Sequence, residues 1–224
     1  MGNISIVVLL ISLAVSFVLS RKMARYAQTG LRSGLTGAEV AAWMLRKHGI
    51  EDVQVTCTDG HLTDHYNPLN KTVNLSNAVY HQKSAAAAAV AAHECGHAVQ
   101  HAQGYAFLRL RSAMVPALSV TSRYMPWVIL LGFLVVEITS LPLKVGIGLF
   151  SLTTLFALVT LPVEFDASSR ALAWMSREGV VTSKEYSIAE DALRWAALTY
   201  VVAALGSLAE LLRLITMLNN RRRT

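Results

Sequence analysis

The amino-acid sequence predicts a mostly α-helical, multi-pass membrane protein with one small antiparallel β-sheet in the polar section between its apolar segments. Three observations lead there. Of the 224 residues, 54% are hydrophobic and only 15% charged, where an ordinary soluble domain carries about 25% charged residues. The apolar residues gather at 4–19, around 126–143, at 145–163 and at 196–218, leaving residues 21–111 more polar. Alternation broken by turn residues, the mark of short strands, is confined to the stretch 53–75. The length accommodates one modest polar domain plus several spans, not two soluble domains.

Each element has its own local warrant. Residues 1–20 read as an uncleaved anchor with its N-terminus outside: no positive charge precedes the apolar run, and Arg21, Lys22, Arg25 and Arg32 follow it. A cytosolic region is expected over 21–112. In "TGAEVAAWMLRKHGI", Thr36 and Glu39 form a capping box, and the helix should end at His48-Gly49. Strands are expected near 53–57, 61–66 and 71–75, with turns at Asp59-Gly60 and Asn67-Pro68-Leu69-Asn70. Ser84 caps an alanine-rich helix that Gly104 can terminate. The apolar run of that helix before His93 is too short to span a bilayer, which takes about 20 residues. It should pack inside the polar domain.

A membrane hairpin is expected over 113–163, with spans near 126–142 and 145–163 joined by a tight turn around Leu141-Pro142-Leu143-Lys144. It returns to the cytosol at Pro162. In the remainder, 164–224, Thr182 and Glu185 form a second capping box and open a long helix. Gly206 and Glu210–Arg213 interrupt its apolar character. A fourth full span would place Arg221, Arg222 and Arg223 outside, against the charge rule. A kinked or re-entrant final segment is the alternative.

The net charge of +6 is positional. Basic residues flank the apolar segments, with Arg109, Arg111 and Arg123 ahead of the second, as cytoplasmic flanks facing anionic lipid do. No basic stripe interleaves with aromatics, so nucleic acid is not an expected partner. Cys57 and Cys95 are too few for a disulfide framework and read as reduced thiols. Cys95 is two residues from each neighbouring histidine, so it lies far round the helix from both.

The chemistry lies in "AAHECGHAVQHAQG", where His93, Glu94 and His97 spell H-E-x-x-H. Histidines at i and i+4 share one helical face about 6 Å apart along the axis, so both imidazoles can reach one Zn²⁺. Glu94 is then placed to take a proton from water and pass it to the leaving amine. This is a zincin-like helix, and it needs a third protein ligand. His101 lies about 12 Å along the helix from His93, too far to share its metal. Gln100 stands where a metzincin bends the chain at glycine. "TLPVEFDASSRAL" offers Glu164, with Asp166 as a rival two residues on. A carboxylate simply paired with Arg170 is the competing structural explanation for Glu164.

The segments "LTDHYNPLNKTVNLS", "AAHECGHAVQHAQGY", "LPVEFDASSRAL" and "AALTYVVAAL" together resemble the YugP-type membrane zinc metallopeptidases, along nearly the whole chain. The resemblance implies a neutral zinc peptidase of the bacterial cytoplasmic membrane, with His93, His97 and Glu164 as ligands and Glu94 as general base. The chain is more distantly similar to HtpX-type proteases, which carry a later E-F-x-A-D segment. The final aspartate of that segment is Ser168 here, so Asp166, Asp191 or a backbone carbonyl is expected to orient a zinc histidine instead.

The function expected is therefore an integral-membrane zinc endopeptidase cutting protein or peptide substrates, themselves membrane-associated, at the cytosolic surface of the bilayer. The strand ending in "KTVNLS" would hold an extended substrate by edge pairing through Val73, Asn74 and Leu75. Tyr186, Arg170 and His101 are candidates for polarising the carbonyl. Two other functions compete. A silent scaffold with structural zinc would have no use for Glu94. A site-two-type intramembrane protease would need H-E-x-x-H within a span and a later L-D-G-like segment, and the chain has neither.

Overall fold

In the computed structural model, which describes residues 3–60, 62–135 and 138–221, four long helices carry most of the chain. They are α1 (Asn3–Ala27), α5 (Ala106–Leu134), α6 (Leu141–Arg177) and α7 (Ser183–Arg221). All four are long and apolar enough to cross a membrane. Between α1 and α5 lie α2 (Gly37–Lys47), β1 (Gln54–Thr58), β2 (His65–Asn67), β3 (Thr72–Ser76), α3 (Asn77–Tyr80) and α4 (Ala85–Ala102). His61, residues 136–137, Arg222 and Arg223, all named in the sequence expectations, lie outside the described residues.

The chain groups into two compact units. One comprises Met1–Ala14, Arg109–Leu161 and Thr199–Thr224. Here Gly206 of α7 has its α-carbon so close to α1 that a Cβ would come within 2.5 Å of Val8 Cγ1. Glu210 and Arg213 pair within α7, Oε2 to Nε at 2.9 Å, so neither residue forces a break. The helix runs on unbroken to Arg221.

The other unit comprises Val15–Leu108 and Pro162–Leu198. Its helices start where the capping residues predict. Thr36 and Glu39 complete a capping box, and Ser84 Oγ accepts the Ala87 N–H. The Thr182–Glu185 box also reaches outward, since Glu185 Oε1 accepts the Arg32 N–H at 2.5 Å. Small side chains let α4 lie deep: Ala85–Ala89, Ala91 and Ala92 are all buried. Met44 and Leu45 of α2, Val73 and Leu75 of β3, and Trp174 and Met175 of α6 complete the core around it. Trp43 meets the Trp174 ring edge-on, with centroids 5.5 Å apart.

The sheet is mixed rather than antiparallel, with the order β1-β3-β2. β3 pairs antiparallel with β2 and parallel with β1. The turn at 67–70 forms as expected, with Asn67 Oδ1 accepting the Leu69 and Asn70 N–H groups. Asp59-Gly60, in contrast, closes no hairpin. Gly60 and Leu62 both take positive φ there and send the chain past β3 to its far side. β3 is consequently the central strand, and its Val73 and Leu75 are fully buried.

Candidate metal centre

Helix α4 presents His93 and His97 one turn apart, their ring centroids 4.8 Å from each other. Glu164 approaches from α6, its Oε2 3.3 Å from His93 Nε2 and 3.7 Å from His97 Nε2. The three ligand atoms all lie within 4.8 Å of one another, and the Glu164 side chain is only 3% exposed. These separations exceed ordinary hydrogen bonds. The two Glu164 distances are close to the spacing of donors around a tetrahedral zinc, about 3.4 Å for bonds of about 2.1 Å. Two imidazole nitrogens and a carboxylate oxygen are also the donor types zinc takes in open, three-ligand sites.

The approach depends on a glycine. Gly96 sits between the histidines, and a Cβ there would lie 2.7 Å from the Ala167 carbonyl oxygen. Backbone therefore meets backbone where α4 crosses α6, which is how a side chain as short as glutamate reaches both rings.

The far side of each ring is also engaged. His97 Nδ1 lies 3.0 Å from Gln100 Oε1, and Ser168 Oγ lies 3.1 Å from His93 Nδ1. Gln100 Nε2 donates to the Val163 carbonyl and to Asp166 Oδ2. Arg170 in turn donates from Nε to Asp166 and from Nη1 to Gln103 Oε1. Burial pulls the His97 pKa down, but the nearby Glu164 and Glu94 carboxylates outweigh it and hold the ring above its usual value. Burial, helped by the Glu94 charge, pushes the Cys95 thiol far up, and its Sγ donates to the Ala41 carbonyl.

Glu94 is buried, and its Oε2 accepts the Tyr66 N–H at 3.0 Å. The expected residues thus separate. His93, His97 and Glu164 converge, with Glu94 beside them on α4. Asp166 turns to Gln100 and Arg170, so Arg170 is not the partner of Glu164. His101 Nδ1 contacts the Tyr66 hydroxyl at 2.8 Å. Asp191 cannot orient a zinc histidine, because its carboxylate is taken by Lys22 and Tyr26. Tyr186 packs against the core.

Edge pairing through Val73, Asn74 and Leu75 is overturned by strand order. Both sides of β3 are occupied, and Asn74 spends its side chain on Thr56, Thr72 and His65. β2 also meets α4, and its Tyr66 N–H points away from β3 toward Glu94. Sequence reasoning missed Gln100, Ser168 and Tyr66 as neighbours of the site. Gln100 alone left a local trace, three residues after His97 on the same helical face.

An H-E-x-x-H helix joined to a carboxylate from a long apolar helix points to a class: a membrane protein with the donor set of a zinc peptidase. The chain belongs to the family described as "Putative neutral zinc metallopeptidase", which matches residues 2–219. It is 41% identical over 219 residues to "Putative membrane protease YugP" of Bacillus subtilis (strain 168), covering 98% of this chain and 96% of that protein. No solved structure matches the chain. The family that the motifs resemble is the family found.

Proposed function

We propose that this chain is an integral-membrane zinc endopeptidase of the bacterial cytoplasmic membrane, acting on peptide bonds at the cytosolic surface. The observation that carries the reading is the convergence of His93 Nε2, His97 Nε2 and Glu164 Oε2 beside a glutamate on the same helix. His93, His97 and Glu164 would hold the ion. Zinc, when bound, supplies Lewis acidity toward the scissile carbonyl and toward water.

Glu94 acts as general base. Its Oε2 is held by the Tyr66 N–H, which leaves Oε1 to take the proton from the attacking water and return it to the departing nitrogen. A structural-zinc scaffold gives no role to that carboxylate. An extended substrate lies along the outer side of β2, next to Glu94, as peptides add to exposed sheet edges. His101, already paired with Tyr66, is the candidate for steadying the carbonyl oxygen, whereas Arg170 is committed to Asp166 and Gln103. The cytosolic side is supported by the basic residues beside the apolar runs, Arg21, Lys22 and Arg25 at the end of α1 and Arg109, Arg111 and Arg123 within α5.

The test is metal content and proteolysis of the purified full-length chain beside its Glu94→Gln form. The variant should keep zinc and fold yet lose nearly all hydrolysis of a casein-like substrate, because only the proton acceptor is removed. Comparable turnover by both proteins would remove Glu94 from the role.

A further inference from the structure

Gln100 is completely buried, and the reaction proposed above makes no use of it. Its amide is nevertheless fixed from both ends. The nitrogen donates to the Val163 carbonyl at 2.8 Å and to Asp166 Oδ2 at 2.7 Å. A carbonyl oxygen can only accept, and Asp166 Oδ2 is already accepting from Arg170 Nε. Turning the amide over would set its oxygen against two acceptors. The oxygen must therefore face His97 Nδ1, 3.0 Å away. An amide oxygen has no proton to give, so the neutral imidazole carries its hydrogen on Nδ1 and keeps a bare lone pair on Nε2. That is the nitrogen aimed at Glu164.

We propose that Gln100 is a positioning residue that relays the Asp166 carboxylate to His97 and fixes that ring in its metal-binding tautomer. The inference rests on His97 being a metal ligand, as proposed above. The other tautomer would present an N–H where the ion must sit. His93 is held differently: the Ser168 hydroxyl can donate or accept, so it does not choose a tautomer. Among the described residues no carboxylate bonds directly to either Nδ1. The Asp166 carboxylate thus acts one residue removed, through an amide, on His97.

The test uses the full-length chain in nanodiscs with ¹⁵N-labelled histidine, stripped of metal and then titrated with zinc against a chelator. In the metal-free protein, at a pH where His97 is neutral, its Nδ1 should carry the hydrogen and Nε2 none. The signals are assigned by their loss in His97→Ala. Gln100→Leu keeps the volume and removes the acceptor. It should show both tautomers and bind zinc about 10–100-fold more weakly, the range for an outer partner of a metal-binding histidine. Gln100→Glu combined with Asp166→Asn restores an acceptor behind Nδ1 with a donor behind it, and should recover the single tautomer but not the full affinity, because the second carboxylate oxygen faces the Val163 carbonyl with no hydrogen between them. A Gln100→Leu protein with wild-type tautomer and wild-type affinity overturns the inference. If Gln100→Leu does not fold, the double variant decides: the Nδ1–H proton resonance must move, because its acceptor has become a carboxylate, and a stationary resonance overturns the inference. Failure of the metal reading itself looks different. Wild type then binds zinc no better than His97→Ala, whatever the tautomer, and the relay loses its purpose with it.

Discussion

Replacing Gly96 by alanine tests whether the close crossing of α4 and α6 sets the donor geometry. The new Cβ would sit 2.7 Å from the Ala167 carbonyl oxygen and 3.1 Å from its Cα. Both are backbone atoms and cannot rotate aside, so the helices must part by several tenths of an ångström to reach ordinary contact at about 3.4 Å. Helix propensity opposes this, since alanine over glycine in a helix interior contributes about 1 kcal/mol. Overpacking costs about 1–3 kcal/mol, so the net loss of stability is about 0–2 kcal/mol and the protein should still fold. The metal site is less forgiving, because its histidines ride on one helix and its carboxylate on the other. Ligand distances hold to within about 0.2 Å in a good site. Gly96→Ala should therefore keep its helical circular dichroism while binding zinc about tenfold more weakly, or worse, in chelator competition. Gly148→Ala is the control, because nothing lies within 4 Å of the added Cβ in that helix. Zinc affinity in Gly96→Ala equal to wild type would refute the reasoning, and an equal loss in Gly148→Ala would trace the effect to helix substitution in general.

Further outcomes follow from the same contacts. Glu164→Ala removes the oxygen facing both Nε2 atoms and should weaken zinc binding by more than the about 100-fold that an outer partner accounts for, whereas Asp166→Ala, acting through Gln100, should stay within that range. The opposite order in a chelator titration would exchange their roles. Cys57 is exposed and Cys95 buried, with the Cys95 thiol held well above its usual pKa, so Cys57 serves as the built-in reporter of sidedness. A membrane-impermeant maleimide should spare it in intact cells and label it after permeabilisation, while a cysteine placed at Ser140, between α5 and α6, should label from outside. Labelling of Cys57 in intact cells would reverse the compartment.

What could be read from the sequence was what depends on near neighbours along the chain. The capping residues Thr36, Ser84 and Thr182 mark the starts of α2, α4 and α7, because each satisfies N–H groups within its own first turn. The i, i+4 histidines announce a shared face whatever surrounds them. The sheet was less legible, since which strand lies in the middle depends on pairing between segments, and positive φ at Gly60 and Leu62 carried β2 to the unexpected side. Gly206 looked like an interruption of an apolar helix, yet it is where α7 receives Val8. The groups behind the histidines were the least accessible: Gln100 and Val163 stand 63 residues apart in sequence, and Ser168 and His93 stand 75 apart. A serine carries no expectation of such a role until a ring nitrogen is found beside it.

One short stretch of α6 performs several tasks at once, and helical geometry explains how. Val163, Asp166, Ala167 and Arg170 recur at intervals of three and four, as do Glu164 and Ser168, so they form adjoining stripes on one side of the helix. Helix α4 answers with His93, Gly96, His97 and Gln100 at the same spacing. Ser168 meets His93, Ala167 meets Gly96, Glu164 faces both rings, and Val163 with Asp166 holds Gln100. H-E-x-x-H by itself specifies two ligands and a base. The glycine between the histidines and the glutamine after them specify which helix may lie against it, and how closely. That helix is the continuation of a segment apolar enough to cross a membrane. Glu164 and the side chains of Asp166 and Ser168 thus come from the same helix as that apolar segment. On the function proposed above, the ligand set is not complete without α6.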